Sequence, residues 1–373
     1  MINFPQGYLP FHRDNYLNYQ LNRWYSLGYT RREDLQRAGE SIRSYEDYVD
    51  VFLRLTEEAR AEGRGKNAAF YLRAAEFLVD PHDQRKLPLY EQFQGKFFRA
   101  FSDEGWRRHR VPYQNGYLTI MEIPARKDPL GVILACGGFD SLIEEFYGIW
   151  QALADHGWRV IAFEGPGQGG ALRTHGLTFD HDWEKPTRSV LDFFKLQQAA
   201  LLGISMGGYW ALRAAAFEKR ISRVIAFPPV YDWLEMTSFP VRRLVRQLMK
   251  RPELMNSLVK FKMTSRKLNF IIKQALFISG KNRPVEAVAW MLGMNQDHLH
   301  SRLVNQDVLL LGGENDAFQP PILLQKQRQA LTKARSIHSR IFTRAQQADQ
   351  HCQMGNLGLA VQVMVEWLGQ TSG

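Results

Sequence analysis

Only two cysteines, Cys136 and Cys352, stand in the 373 residues. Two so far apart build neither a disulfide framework nor a zinc cluster, and a cytoplasmic setting fits that economy. No stretch reaches the ~18 consecutive apolar residues of a membrane span, so no spanning helix is expected. The opening Met1-Ile2-Asn3-Phe4-Pro5 lacks a basic region followed by an apolar run, and no signal peptide is expected. Internal repeats and low-complexity tracts are also missing, which sets aside solenoids and disordered arrays.

Acidic residues are nearly absent from one segment. Between Val241 and Pro284 there are twelve basic residues against the single acid Glu253, a net +11 in a chain whose total is +10. The basic character therefore belongs to one module. Within it Val241, Leu244, Val245, Leu248 and Met249 form a helical stripe, with Arg242, Arg246 and Lys250 on another face. Such a face is either solvated or attracts an anionic substrate, an acidic protein or a membrane surface.

What the chain does have is enough apolar residue, 45%, for one large or two ordinary domains with a packed core. Residues 1–105 are expected to be helical. Apolar residues recur at three- and four-residue steps through Tyr48–Leu53 and again at Phe70, Ala74, Phe77 and Leu78, with Gly63-Arg64-Gly65 between them and a third helix over about 89–101. This region carries no catalytic motif and is read as a packing domain, with a place over the active site as the alternative.

From Trp106 the pattern changes. Val111-Pro112-Tyr113 and Tyr117–Ile123 flank Asn115-Gly116, a hairpin signal. Strands near 131–136, 158–163, 199–203, 222–227, 307–311 and 337–343 then alternate with helices, which predicts a mainly parallel sheet. The alternation lapses over about 232–305, a helical cap inserted after the sixth strand. The expected organisation is a helical N-terminal domain, 1–105, and an α/β domain, 106–373, carrying that cap.

Gly203-Ile204-Ser205-Met206-Gly207 follows the apolar run Ala199–Leu202 and precedes Gly208 and an alanine-rich stretch. Small residues on both sides of a serine between strand and helix permit a sharp turn that presents the hydroxyl above the sheet. Ser205 is the candidate nucleophile. A serine hydroxyl needs a base, and the base an acid to orient it, in the chain order Ser, Asp or Glu, His. Asp316 lies in the loop Gly312-Gly313-Glu314-Asn315-Asp316, at the carboxyl end of the strand Val308–Leu311. It is preferred to Glu314 in the same loop and to Asp307 at the wrong end of the strand. His351 follows the last strand and is the candidate base. His338, His298 and His300 are read as structural, and Cys352 as a small buried thiol.

The oxyanion of an acyl transfer needs two donors. The backbone N–H of Met206 is one, and the loop Gly137-Gly138-Phe139-Asp140 supplies the other, with Phe139 preferred over Gly138. Phe163-Glu164-Gly165-Pro166-Gly167-Gln168-Gly169-Gly170 lacks the Lys-Ser/Thr of a phosphate loop and is expected near the pocket mouth. No cofactor and no metal are implied.

Taken together, the helical N-terminal region, Gly137–Ser141, Glu164-Gly165-Pro166-Gly167-Gln168-Gly169, Gly203–Gly208 and His351-Cys352-Gln353-Met354-Gly355-Asn356 resemble α/β-hydrolases of the pseudooxynicotine-hydrolase and polyketide chain-shortening type. The resemblance covers most of the chain and implies an α/β-hydrolase fold. It also implies cleavage of a carbon-carbon bond beside a ketone, or of an ester. Asp232 and Glu235 are then candidate proton donors, or hinge residues of the cap. The expected reaction is a retro-Claisen hydrolysis of an aromatic or polyketide-like ketone. The alternatives are a carboxylesterase or thioesterase with the same triad, and a regulatory binding protein on a hydrolase fold. The expected partner is a small-molecule ketone or ester, with an anionic substrate or one borne on an acidic carrier protein among the options. No nucleic acid is expected, and a homodimer stays open.

Overall fold

Long apolar runs with no polar alternation make the centre of the molecule. Ala199–Ile204 and Asp307–Gly313 are buried along their whole length, as strands covered on both faces must be. The computed structural model describes residues 4–370, so Met1-Ile2-Asn3 lie outside the described residues. Eight strands form one sheet: β1 (Arg107–Tyr113), β2 (Gly116–Ile123), β3 (Gly131–Cys136), β4 (Trp158–Glu164), β5 (Ala199–Ile204), β6 (Ile221–Phe227), β7 (Asp307–Gly313) and β8 (Ser336–Phe342). Their order is β1-β2-β4-β3-β5-β6-β7-β8. From β4 to β8 every pairing is parallel, and β1 and β2 run antiparallel. This is the α/β-hydrolase fold expected. The hairpin turn sits one residue earlier than Asn115-Gly116: Tyr113 pairs with Gly116, and Gln114 takes the left-handed backbone at φ 50°.

Five helices precede the sheet: α1 (Asn15–Ser26), α2 (Arg32–Ser41), α3 (Tyr45–Ala61), α4 (Gly65–Leu78) and α5 (Lys86–Ala100). Asp14 starts α1 by accepting the N–H groups of Tyr16 and Leu17, and Ser44 starts α3 by accepting that of Asp47. The helices between and after the strands are α6 (Tyr147–Asp155), α7 (Gly169–Arg173), α8 (Glu184–Phe193), α9 (Gly207–Phe217), α10 (Phe239–Met249), α11 (Pro252–Lys262), α12 (Arg266–Ser279), α13 (Pro284–Gly293), α14 (Gln296–Leu299), α15 (Pro321–Ala330) and α16 (Leu357–Gly369). α10 to α14 are the insert between β6 and β7.

Two apolar clusters cover the two faces of the sheet. One joins α1–α5 with α6, α16 and residues such as Ile133, Val160 and Leu309. The N-terminal helices thus share a core with the sheet. The other joins α8, α9 and the inner side of the insert with Leu134, Ile161, Leu201 and Leu310. Among the described residues no helix is long and apolar enough to cross a membrane.

Candidate active site

Ser205 occupies the turn between β5 and α9 with φ 58°, a left-handed conformation that costs a non-glycine residue energy and persists where the surroundings enforce it. The enforcement is visible. Its N–H donates to Phe227 O at 2.5 Å, at the end of the neighbouring strand. A Cβ on Gly203 would lie 1.9 Å from the carbonyl oxygen of Gly207, so only glycine lets the helix start so close to the strand.

The structure brings the three expected side chains together. Ser205 Oγ is 2.8 Å from His351 Nε2, and His351 Nδ1 is 2.8 Å from Asp316 Oδ2. The other Asp316 oxygen accepts the N–H groups of Phe318 and Gln319, each at 2.8 Å, which fixes the carboxylate. Glu314 points away, exposed, and accepts Arg344 N–H at 2.6 Å. Asp307 is held at the far end of β7 by Arg335 and Ser336. Burial opposes a charged imidazole at His351, but the Asp316 carboxylate and the neighbouring Cys352 together outweigh it, and the net effect holds His351 well above the ordinary histidine value.

Of the two N–H groups weighed in the Gly137–Asp140 loop, that of Gly138 donates to Ser141 Oγ at 2.8 Å. Phe139 N–H has no hydrogen-bond partner among the described residues. A Cβ on Gly138 would stand 2.8 Å from Ser205 Cβ, so this glycine lets the loop come up against the serine. Met206 N–H has a neighbour the sequence did not suggest. The Gln319 side chain, with its amide turned so that both ends are satisfied, accepts from Met206 N–H at 3.2 Å and donates to Pro228 O at 3.0 Å.

The loop after β4 lies elsewhere than expected. None of residues 163–170 lines the cavity. Gln168 reaches under the sheet end and donates to Gly137 O at 2.9 Å and Gly138 O at 3.1 Å, while accepting Gly165 N–H at 3.0 Å. It is a brace for the Gly137–Asp140 loop, because a buried amide satisfies loop carbonyls that water cannot reach.

A second brace comes from the N-terminal helices. Arg73 on α4 donates to Asp140 O at 2.6 Å and to Glu145 at 2.9 Å, and Arg23 on α1 donates to the other Glu145 oxygen at 2.6 Å and to Asp140 at 3.3 Å. Glu145 is fully buried, and the two guanidinium groups overcome its burial and hold its pKa below the ordinary value. α1 and the segment before it hold the His351 segment: Gly355 N–H donates to Ser26 Oγ at 2.8 Å, Gly7 N–H donates to Gly355 O at 2.7 Å, and Tyr19 Oη donates to His351 O at 3.4 Å.

Ser205 opens onto a cavity of about 280 Å³. α1 forms one wall with Tyr16 and Tyr19, the helical insert supplies Phe270 and Met291, Trp233 comes from the segment leading into it, and Phe318 closes the side next to His351. The region read as a packing domain is therefore also a wall of the pocket. Asp232 and Glu235 do not line it. Asp232 accepts Leu234 N–H at 2.8 Å at the entry to the insert, and Glu235 is paired with Arg242 and Lys326. Cys352 is buried, with its Sγ 3.7 Å from Phe227 O.

Among known proteins, the chain is 38% identical to the hydrolase ffsE of Aspergillus flavipes over 185 residues, 41% of each chain. It is 32% identical to the hydrolyase poxO of Penicillium oxalicum over 251 residues, 61% of this chain and 57% of that one. The chain thus spans about half the length of the curated relatives it matches. The fold is shared with the 2,6-dihydroxy-pseudo-oxynicotine hydrolase, at a TM-score of 0.63 and 19% identity over 93% of this chain and 94% of that one. It is shared also with AbyA5, at a TM-score of 0.68 and 17% identity over 90% of each chain. The family model described as serine aminopeptidase, S33, matches residues 127–346, more than half of the chain and the part that holds Ser205 and Asp316, and the protein belongs to that family of α/β-hydrolases.

Proposed function

We propose that Ser205, His351 and Asp316 act as a catalytic triad that hydrolyses the carbon-carbon bond beside a ketone, in an aromatic or polyketide-like substrate carrying a second carbonyl. The observation that carries the reading is the continuous relay of two 2.8 Å contacts from Ser205 through His351 to Asp316, opening onto a cavity walled by aromatic rings. Ser205 Oγ adds to the ketone carbon while His351 Nε2 takes its proton. The carbonyl oxygen becomes an oxyanion held by Phe139 N–H and by Met206 N–H once it displaces the Gln319 amide oxygen.

Collapse of that intermediate breaks the carbon-carbon bond and leaves the electron pair on the departing carbon, where the second carbonyl spreads it as an enolate. The proton that carbon needs comes from His351, since neither Asp232 nor Glu235 lines the cavity. Water, deprotonated by His351, then attacks the acyl-Ser205 ester, releases the carboxylic acid and restores the serine. The name of the 2,6-dihydroxy-pseudo-oxynicotine hydrolase supports a ketone substrate, and the aromatic walls suit a flat, conjugated one.

The test is a side-by-side assay of a 1,3-diketone and an ester of matching size in heavy water. The expected result is faster diketone cleavage with one solvent deuterium at the released carbon. An intact diketone beside a hydrolysed ester would establish an esterase with the same triad.

A further inference from the structure

The helical insert carries a surface that catalysis does not use. α10 has no buried residue at all. Phe239, Val241 and Leu244 on it are 68%, 44% and 57% exposed. On α11, Leu254, Leu258 and Phe261 follow at i, i+4 and i+7, which places them on one face, and they are 44%, 39% and 76% exposed. Met255 and Val259 turn inward from the same helix. Solvent-facing phenylalanine and leucine on two consecutive helices are costly to leave in water and mark a contact surface.

Charge identifies the contact. Arg243, Arg246, Lys250, Arg251, Lys260, Lys262 and Arg266 surround these apolar side chains in sequence, and among the described residues none has a carboxylate within ion-pair distance. A second copy of this face would bring the same +11 segment against itself, and like charges at close range oppose association. An acidic protein would satisfy the cations but leaves no reason for the exposed Phe239 and Phe261 rings. Basic side chains flanking exposed Phe and Leu on an amphipathic helix match the boundary of an anionic bilayer, where headgroups neutralise the cations and acyl chains take up the rings.

We propose that α10 and α11 dock this protein peripherally on anionic lipid membranes. The same insert continues into α12 and α13, which line the cavity through Phe270 and Met291. An apolar substrate dissolved in the bilayer is thereby brought to the cap without crossing water.

The test is cosedimentation of the full-length protein with phosphatidylcholine vesicles containing or lacking 30% phosphatidylserine, a working composition of about that value. Three proteins are compared: wild type, Phe239→Ser/Phe261→Ser, and Arg243→Gln/Arg246→Gln/Lys250→Gln. Circular dichroism and hydrolysis of a small soluble ester serve as controls for folding, since none of these residues lines the cavity. Wild type is expected to sediment with the anionic vesicles only, and each variant to lose about tenfold or more in partitioning. Absence of wild-type binding would overturn the proposal. Binding that survives loss of both phenylalanines would replace it with a purely electrostatic face for an acidic protein, and a dimer in analytical ultracentrifugation dissolved by Phe239→Ser/Phe261→Ser would replace it with a self-interface.

Discussion

The guanidinium of Arg73, buried in the second half of the N-terminal helices, donates to the backbone carbonyl of Asp140 at 2.6 Å, one residue past Phe139, which lines the same cavity as Ser205. A helix far from Ser205 in sequence thus sets the height of the loop beside it. Arg73→Met leaves Glu76 and Glu145 short of a buried cation, and breaking a buried charge network of this kind costs about 3–5 kcal/mol. The melting temperature is expected to fall, and kcat to fall with KM little changed at temperatures where the variant stays folded. A destabilised variant with wild-type kcat would limit Arg73 to stability.

Ser205→Ala and His351→Ala are each expected to lower kcat by about ten-thousand-fold to a million-fold with an unchanged circular dichroism spectrum, because members of a triad act as a unit. Asp316→Asn should be nearly as severe. Glu314→Gln, at an exposed side chain bonded to Arg344 N–H, should keep close to full activity, and a larger loss there than at Asp316 would reassign the acid.

The base must be neutral to take the serine proton, so activity rises with pH through the His351 pKa. Asp316 holds that pKa above the ordinary 6.5, and the ascending limb of kcat/KM is expected above that pH. Removing the charge with Asp316→Asn leaves burial as the dominant influence, which favours the neutral ring, so the limb of the residual activity should move to lower pH. A wild-type limb below 6.5, or an upward shift in the variant, would contradict the electrostatic account of His351.

Gln319 discriminates two ways of using the Met206 N–H. Gln319→Ala frees that donor at the cost of its bond to Pro228 O, and a loss of about tenfold or less in kcat is expected from one neutral hydrogen bond. Gln319→Glu replaces the amide with a carboxylate that competes for Met206 N–H and repels a developing oxyanion, so its loss should be at least about tenfold greater again. Equal rates in the two variants would place the substrate oxygen away from Met206.

The strands, the serine turn and the order of the three side chains were readable because each is written locally. Apolar runs such as Ala199–Leu202 announce buried strands, glycines flank a serine, and Asp316 follows a strand end. The glutamine at 319 and the arginines at 23 and 73 were not readable. Each is an ordinary polar residue of a loop or helix whose role arises only from what the fold places opposite it, and a charged residue on an amphipathic helix is indistinguishable in sequence from a solvated one. The loop around Gln168 shows the same limit in reverse: its glycines were conspicuous, but whether it faces the cavity or props the neighbouring turn depends on the direction of one buried amide. That the N-terminal region borders the active site stood only as the alternative reading, because Tyr16 and Tyr19 carry no chemical motif.

The clasp of Ser26 and Gly7 on Gly355 joins the first part of the chain to the last. Ser26 and Gly355 are 329 positions apart, so the segment that bears His351 is held by residues synthesised long before it. A chain stopped short of residue 351 carries the Ser205 turn with neither His351 opposite it nor Gly355 for Ser26 to hold.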